Sequence, residues 1–96
     1  MIDLHFVCPQ GLNHTHLGQM VFESGNWSVS DEKATEAVGG RIYLHERQDS
    51  AAWHGGTIRS WRPFDKGRKI FTYKAEGDFR IKCPGGWGQE QATVRR

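Results

Sequence analysis

Ninety-six residues, 36% hydrophobic and 25% charged, can build one core and not two, so residues 1–96 are expected to form a single domain. No apolar run nears the roughly 20 residues a membrane helix needs, and MIDLHFVCPQ has neither the cationic start nor the continuous apolar stretch of a secretory signal, which argues against a membrane protein and makes the cytoplasm the expected compartment. The net charge of +2 hides an asymmetry: residues 1–40 carry one base and five acids, residues 41–96 twelve bases and six acids, a distribution that points weakly to an anionic partner.

In chain order, MIDLHFV alternates Ile2, Leu4 and Phe6 with Asp3 and His5, the period of a half-buried strand. CPQGLNHTHLG contains Pro, Gly and Asn breakers and is expected to be a loop, with a second short strand at QMVFE. VSDEKATEAVGG carries helix punctuation: Ser30 as N-cap, Asp31 and Glu32 in the first turn, Gly39 just past the end, and a staple between Val29 and Ala34. Its apolar stripe would be Ala34, Ala37 and Val38. From Gly40 onward the pattern is β. RIYLHE sets Ile42 and Leu44 against Tyr43 and His45; GTIRSWR sets Arg59 and Trp61 against Ile58; RKIFTYK, DFRIKC and QATVR supply further strands.

Two cysteines, Cys8 and Cys83, are expected to remain thiols. His5, Cys8, His14 and His16 fall within twelve residues, but each cysteine stands alone in its turn rather than in a C-x-x-C pair, so no metal site is expected. No P-loop, G-x-G-x-x-G or G-x-S-x-G occurs, and no cofactor is expected. The richest stretch is SAAWHGGTIRSWRP, where Trp53, His54, Arg59, Trp61 and Arg62 interleave rings with cations. Indoles stack on bases, and guanidinium groups meet phosphate or a guanine edge. Trp53 is expected in a loop beside His54-Gly55-Gly56, and Trp27, just before the helix, either lines a cleft or seats the helix. A structure that buried Trp53 and Trp61 and paired their arginines with acids would remove this reading.

A short helix followed by GGRIYLHE, then GGTIRSW and RKIFTYK, resembles the central unit of PUA-like barrels, including the ASCH and EVE domains, with Gly40 to His45 and Gly56 to Trp61 as the matching strands. The likeness covers about half the chain, and Gly39-Gly40-Arg41 stands where those domains have Gly-Asp. The resemblance implies a pseudobarrel and a cleft for RNA, or for a modified base in DNA or RNA. By position it implies that Ser24, Asn26 and Trp27 and the region from His45 to Trp61 line that cleft. Some ASCH-like proteins are amidohydrolases using lysine, threonine and glutamate; Thr57 and Glu46 correspond to two of these, no lysine to the third, and no catalytic residue is carried over.

The expected fold is therefore α+β, mainly β: a small PUA-like mixed barrel with one short helix. The expected function is binding of nucleic acid or a nucleobase, without membrane contact. Trp27, Trp53 and Trp61 would stack, Ser24, Asn26, His45 and His54 would meet polar edges, and Arg41, Arg59 and Arg62 would meet phosphate. A small hydrolase acting on a nucleoside or RNA with His45 and His54 as acid and base is one alternative, and a protein-interaction module with an apolar patch is another.

Overall fold

A computed structural model describes residues 1–10, 14–88 and 90–95. The elements are β1 (Ile2–Val7), β2 (His14–Gly18), β3 (Val21–Ser28), α1 (Asp31–Ala37), β4 (Arg41–His45), β5 (Ala52–Pro63), a short 3-10 turn (Asp65–Gly67), β6 (Arg68–Lys74) and β7 (Gln91–Arg95). All seven strands join one mixed sheet in the order β2-β3-β6-β5-β4-β1-β7, with β1 and β4 parallel. The fold is α+β and mainly β.

The sheet curls until strands far apart in that order meet. Phe6 of β1 stacks on Trp27 of β3 with ring centroids 4.3 Å apart and planes 9° apart. Gln91 of β7 donates from Nε2 to the Ser28 carbonyl of β3 at 2.9 Å, so a side chain bridges these two strands where the curl brings them together. Inside the curl Leu4, Phe6, Trp27, Ile42, Leu44, Ile58, Phe71 and Tyr73 form the core.

One end is covered by α1. Ser30 Oγ accepts from Lys33 N at 3.1 Å, Gly39 takes φ +91° just past the last turn, and Val29, Ala34 and Ala37 are buried, as the punctuation predicts. Val38, expected in the apolar stripe, is 41% exposed because it is the C-cap, where the chain has left helical geometry. The same end is tied by Lys69, which is 3% exposed. Its Nζ donates to the carbonyls of Val29 and Gly67, each at 3.0 Å, pairs with Asp31 Oδ1 at 2.9 Å and sits 5.4 Å from the centre of the Trp61 ring.

Three local expectations change. His14–Gly18, read as loop, is strand β2, because the turn at Gly18-Gln19-Met20 folds it back on β3. DFRIKC is not a strand: Ile81 N bonds back to the Phe79 carbonyl at 2.9 Å, a tight turn that interrupts extension. Phe79 of that segment lies against His54 and Gly55 of β5 instead, and Tyr43 and His45 are buried along with Ile42 and Leu44, with His5 stacked on Tyr43 and Trp87 edge-on to His45. Finally, Trp53 lies on β5 and not in a loop.

Candidate functional site

Two bulges decide which side chains meet. Between Ile58 and Ser60, β5 spends two steps where β6 spends one, from Tyr73 to Thr72. Arg59 is the extra residue and is exposed, and the alternation beyond it is reversed. Ile58 and Trp61 therefore both face the core, whereas simple alternation puts them on opposite sides. In β3, Ser24 to Trp27 takes three steps against two from Phe71 to Lys69, so Gly25 and Asn26 together oppose Ile70.

That second bulge opens a cleft of about 290 Å³ on the outer face, lined by His14, Thr15, Glu23, Gly25, Asn26, Arg62 and Ile70. Gly25 keeps its floor low, since a Cβ there would lie 2.6 Å from Ile70 Cγ1. Arg62 reaches over β6 to Glu23, with Nε 3.2 Å from Oε2 and Nη2 3.4 Å from Oε1. Arg68 Nη1 donates to Asn26 Oδ1 at 3.3 Å and to the Asn26 carbonyl at 3.4 Å. One guanidinium, one carboxylate and one amide thus line a single depression, and a second guanidinium, that of Arg68, bonds to the amide residue from beside it.

His14 also belongs to a second group, around the Tyr73 hydroxyl. Tyr73 is fully buried, and its hydroxyl lies 2.8 Å from His14 Nε2 and 2.7 Å from His54 Nδ1. A phenol has one proton to give, so one imidazole accepts it and the other donates to the phenolic oxygen, with both rings neutral. Burial pushes the Tyr73 hydroxyl pKa up. The same desolvation, reinforced by the charges of His14 and His16, holds His54 down at about 4, and His14 is likewise lowered by burial and then by His16. Rings surround this hydrogen-bonded group. Phe22 stacks on His14 at 4.9 Å and on His16 at 4.5 Å, Trp53 meets His14 edge-on at 5.3 Å, and Phe79 lies 5.3 Å from His54.

The expected binding residues divide accordingly. Asn26 and Arg62 share the cleft, and Trp53 and His54 share the ring cluster. Both Trp53 and Trp61 are half-buried and pack against the core. Trp53 Nε1 is anchored to the Cys8 carbonyl at 2.7 Å, and Trp61 lies under Lys69 rather than an arginine. Four expectations are corrected. Trp27, 3% exposed, is a core residue, with its Nε1 donating to Ser24 Oγ at 3.0 Å; Ser24 is fully buried for the same reason. His45 is fully buried: its Nδ1–H donates to the Ser50 carbonyl at 2.9 Å, which leaves Nε2 to accept from His5 Nδ1 at 2.8 Å. Arg41 is half-buried and spent internally, its Nη1 on Thr57 Oγ1 at 3.0 Å and its backbone N–H on Asp3 Oδ1 at 2.8 Å.

His45 and His54 thus hydrogen-bond into separate groups, and Trp87 caps the His5–His45 pair edge-on, 5.3 Å from His45. Among the described residues no group of three or more His, Cys, Asp or Glu side chains is placed to hold a metal ion. Tyr73, Phe22, Glu23 and Arg68 were not among the site residues expected from the sequence. Only the alternation of RKIFTYK, which sends Phe71 and Tyr73 to one face, hints at any of them. Comparison of the chain with protein-family models, with curated proteins and with solved structures finds no match.

Proposed function

We propose that this protein binds nucleic acid or a nucleobase, with the outer-face cleft as the polar part of the site and the neighbouring ring cluster as its stacking part. The observation that carries the reading is that Arg62, Asn26 and Glu23 line one cleft, with Arg68 bonded to Asn26 beside it. Guanidinium groups suit phosphate, and an amide and a carboxylate suit the donor and acceptor edges of a base. Arg62 is not locked away by Glu23. Its side chain is 55% exposed, against 20% for Glu23, so the guanidinium keeps open N–H donors for a phosphate while still paired with the carboxylate. The excess of bases in residues 41–96 supplies the long-range attraction. The resemblance to PUA-like barrels belongs to the same proposal, as does a cytoplasmic setting, where cysteines such as Cys8 and Cys83 stay reduced.

The test is fluorescence anisotropy with labelled single-stranded and double-stranded RNA and DNA oligonucleotides, together with competition by free nucleosides, across a salt series. Saturable binding that weakens with salt is expected, and Arg62→Ala with Arg68→Ala should lower the salt slope by about 2, roughly one for each phosphate left without its guanidinium. No binding to any of these ligands, or a salt slope unchanged in the double variant, overturns the reading.

A further inference from the structure

Strand β2, which the sequence does not announce, carries a feature that the cleft does not use. His14 and His16 stand two residues apart on β2 and so point to one side of the sheet. Phe22, directly opposite His16 on β3, shares its ring with both imidazoles: 4.9 Å and 10° to His14, 4.5 Å and 20° to His16. Three near-parallel rings result. The inner one, His14, is half-buried and fixed by Tyr73, whereas His16 is exposed, because β2 is the last strand on its side of the sheet. The stack therefore ends in an imidazole on the surface. No carboxylate stands on β2 or in the Gly18-Gln19-Met20 turn to repel a phosphate.

Resting on the nucleic-acid reading above, we infer that His16 is the stacking platform for one splayed base, and hence that the ligand is single-stranded. A base in a duplex is covered by its neighbours on both faces, so a lone imidazole has nothing to stack on there; an unstacked base offers its whole π-face, whatever its identity. Phe22 and His14 hold the platform's plane, so little ordering is left to do on binding.

The experiment uses the full chain and fluorescein-labelled oligonucleotides of equal length, single-stranded and duplex, with His16→Ala, His16→Phe and wild type compared by anisotropy, and far-ultraviolet circular dichroism recorded for each. Tighter binding to the single strand is expected. His16→Ala should weaken it about tenfold, within the range of one lost base stack, and His16→Phe, which keeps a flat ring, should bind within about twofold of wild type. Equal binding by His16→Ala and wild type, equal losses in both variants, or a preference for duplex would overturn the platform while leaving the nucleic-acid reading in place. Wild type binding neither oligonucleotide form would overturn both.

Discussion

Of the five histidines, His5 and His45 are buried and His14 and His54 half-buried. His5 is 2% exposed and stacks on Tyr43 at 4.6 Å. Burial, followed by the facing charge of His45 and partly offset by Asp3, brings its pKa down to about 4. His54 reaches about 4 by burial and its neighbouring imidazoles. Since both groups titrate near 6.5 in the unfolded chain, the unfolded state binds more protons below that pH, and stability rises with pH wherever this holds. Their contribution is therefore fully present above about 6.5, is lost as pH falls toward 4, and levels off below it. Urea midpoints measured at intervals from pH 7.5 to 3.5 should show that decline; a flat profile between 6.5 and 4 would contradict it. Cys8, whose thiol is pushed up to about 11 by burial and then by Glu46, is expected to be unreactive in the same range.

At the level of elements, the β5–β6 hairpin and α1 are joined through one ammonium group. All three Nζ protons of Lys69 have acceptors, on Val29, Gly67 and Asp31, and its position over Trp61 adds a cation–π contact. Lys69→Met would keep the aliphatic stem and strand the two carbonyls, while Asp31, with its side chain 80% exposed, would simply rehydrate. A loss of about 2 kcal/mol is expected from the unsatisfied acceptors, read as a lower urea midpoint with an unchanged m-value; a loss under about 0.5 kcal/mol would show that water replaces the ammonium freely. The bulges act at the same scale. Without the extra residue in β3, Asn26 and Gly25 would not both face Ile70, and the cleft would lack its floor.

For the whole molecule, the curl of the sheet depends on contacts between strands that share no ladder. Phe6 stacked on Trp27 is one of these, and both residues are buried. Trp27→Ala should cost about 3–5 kcal/mol, as large aromatic deletions in a core do, enough to unfold a domain of this size or nearly so. Thermal melts monitored by far-ultraviolet circular dichroism would show it, and a melting point within a few degrees of wild type would mean that the two sides of the sheet hold together without this stack.

The sequence by itself determined the elements whose signals are local. Ser30, Asp31, Glu32 and Gly39 delimit a short helix through the chemistry of its ends, and the alternations in MIDLHFV, RIYLHE, RKIFTYK and QATVR mark strands, because side chains alternate between the two faces of a sheet; MIDLHFV reads as a half-buried strand, yet β1 and β4 are buried on both faces. It also brought Asn26 and Arg62 forward, and Trp53 and His54, each pair of which the fold places together. What only the tertiary structure decided is long-range. HTHLG reads as loop until β3 supplies its partner strand; DFRIKC alternates like a strand, yet it meets β5 through a single backbone bond, Ala52 N to the Ile81 carbonyl, and turns back on itself at Phe79–Ile81. Arg59 and Trp61 share a face on paper, and one bulge separates them. Ser24, Trp27 and His45 look like polar or aromatic site residues until the curl closes over them. The Tyr73 hydroxyl meets His14 and His54 from sequence distances of 59 and 19 residues, a meeting that depends on strand order and register, and neither is written in a local pattern.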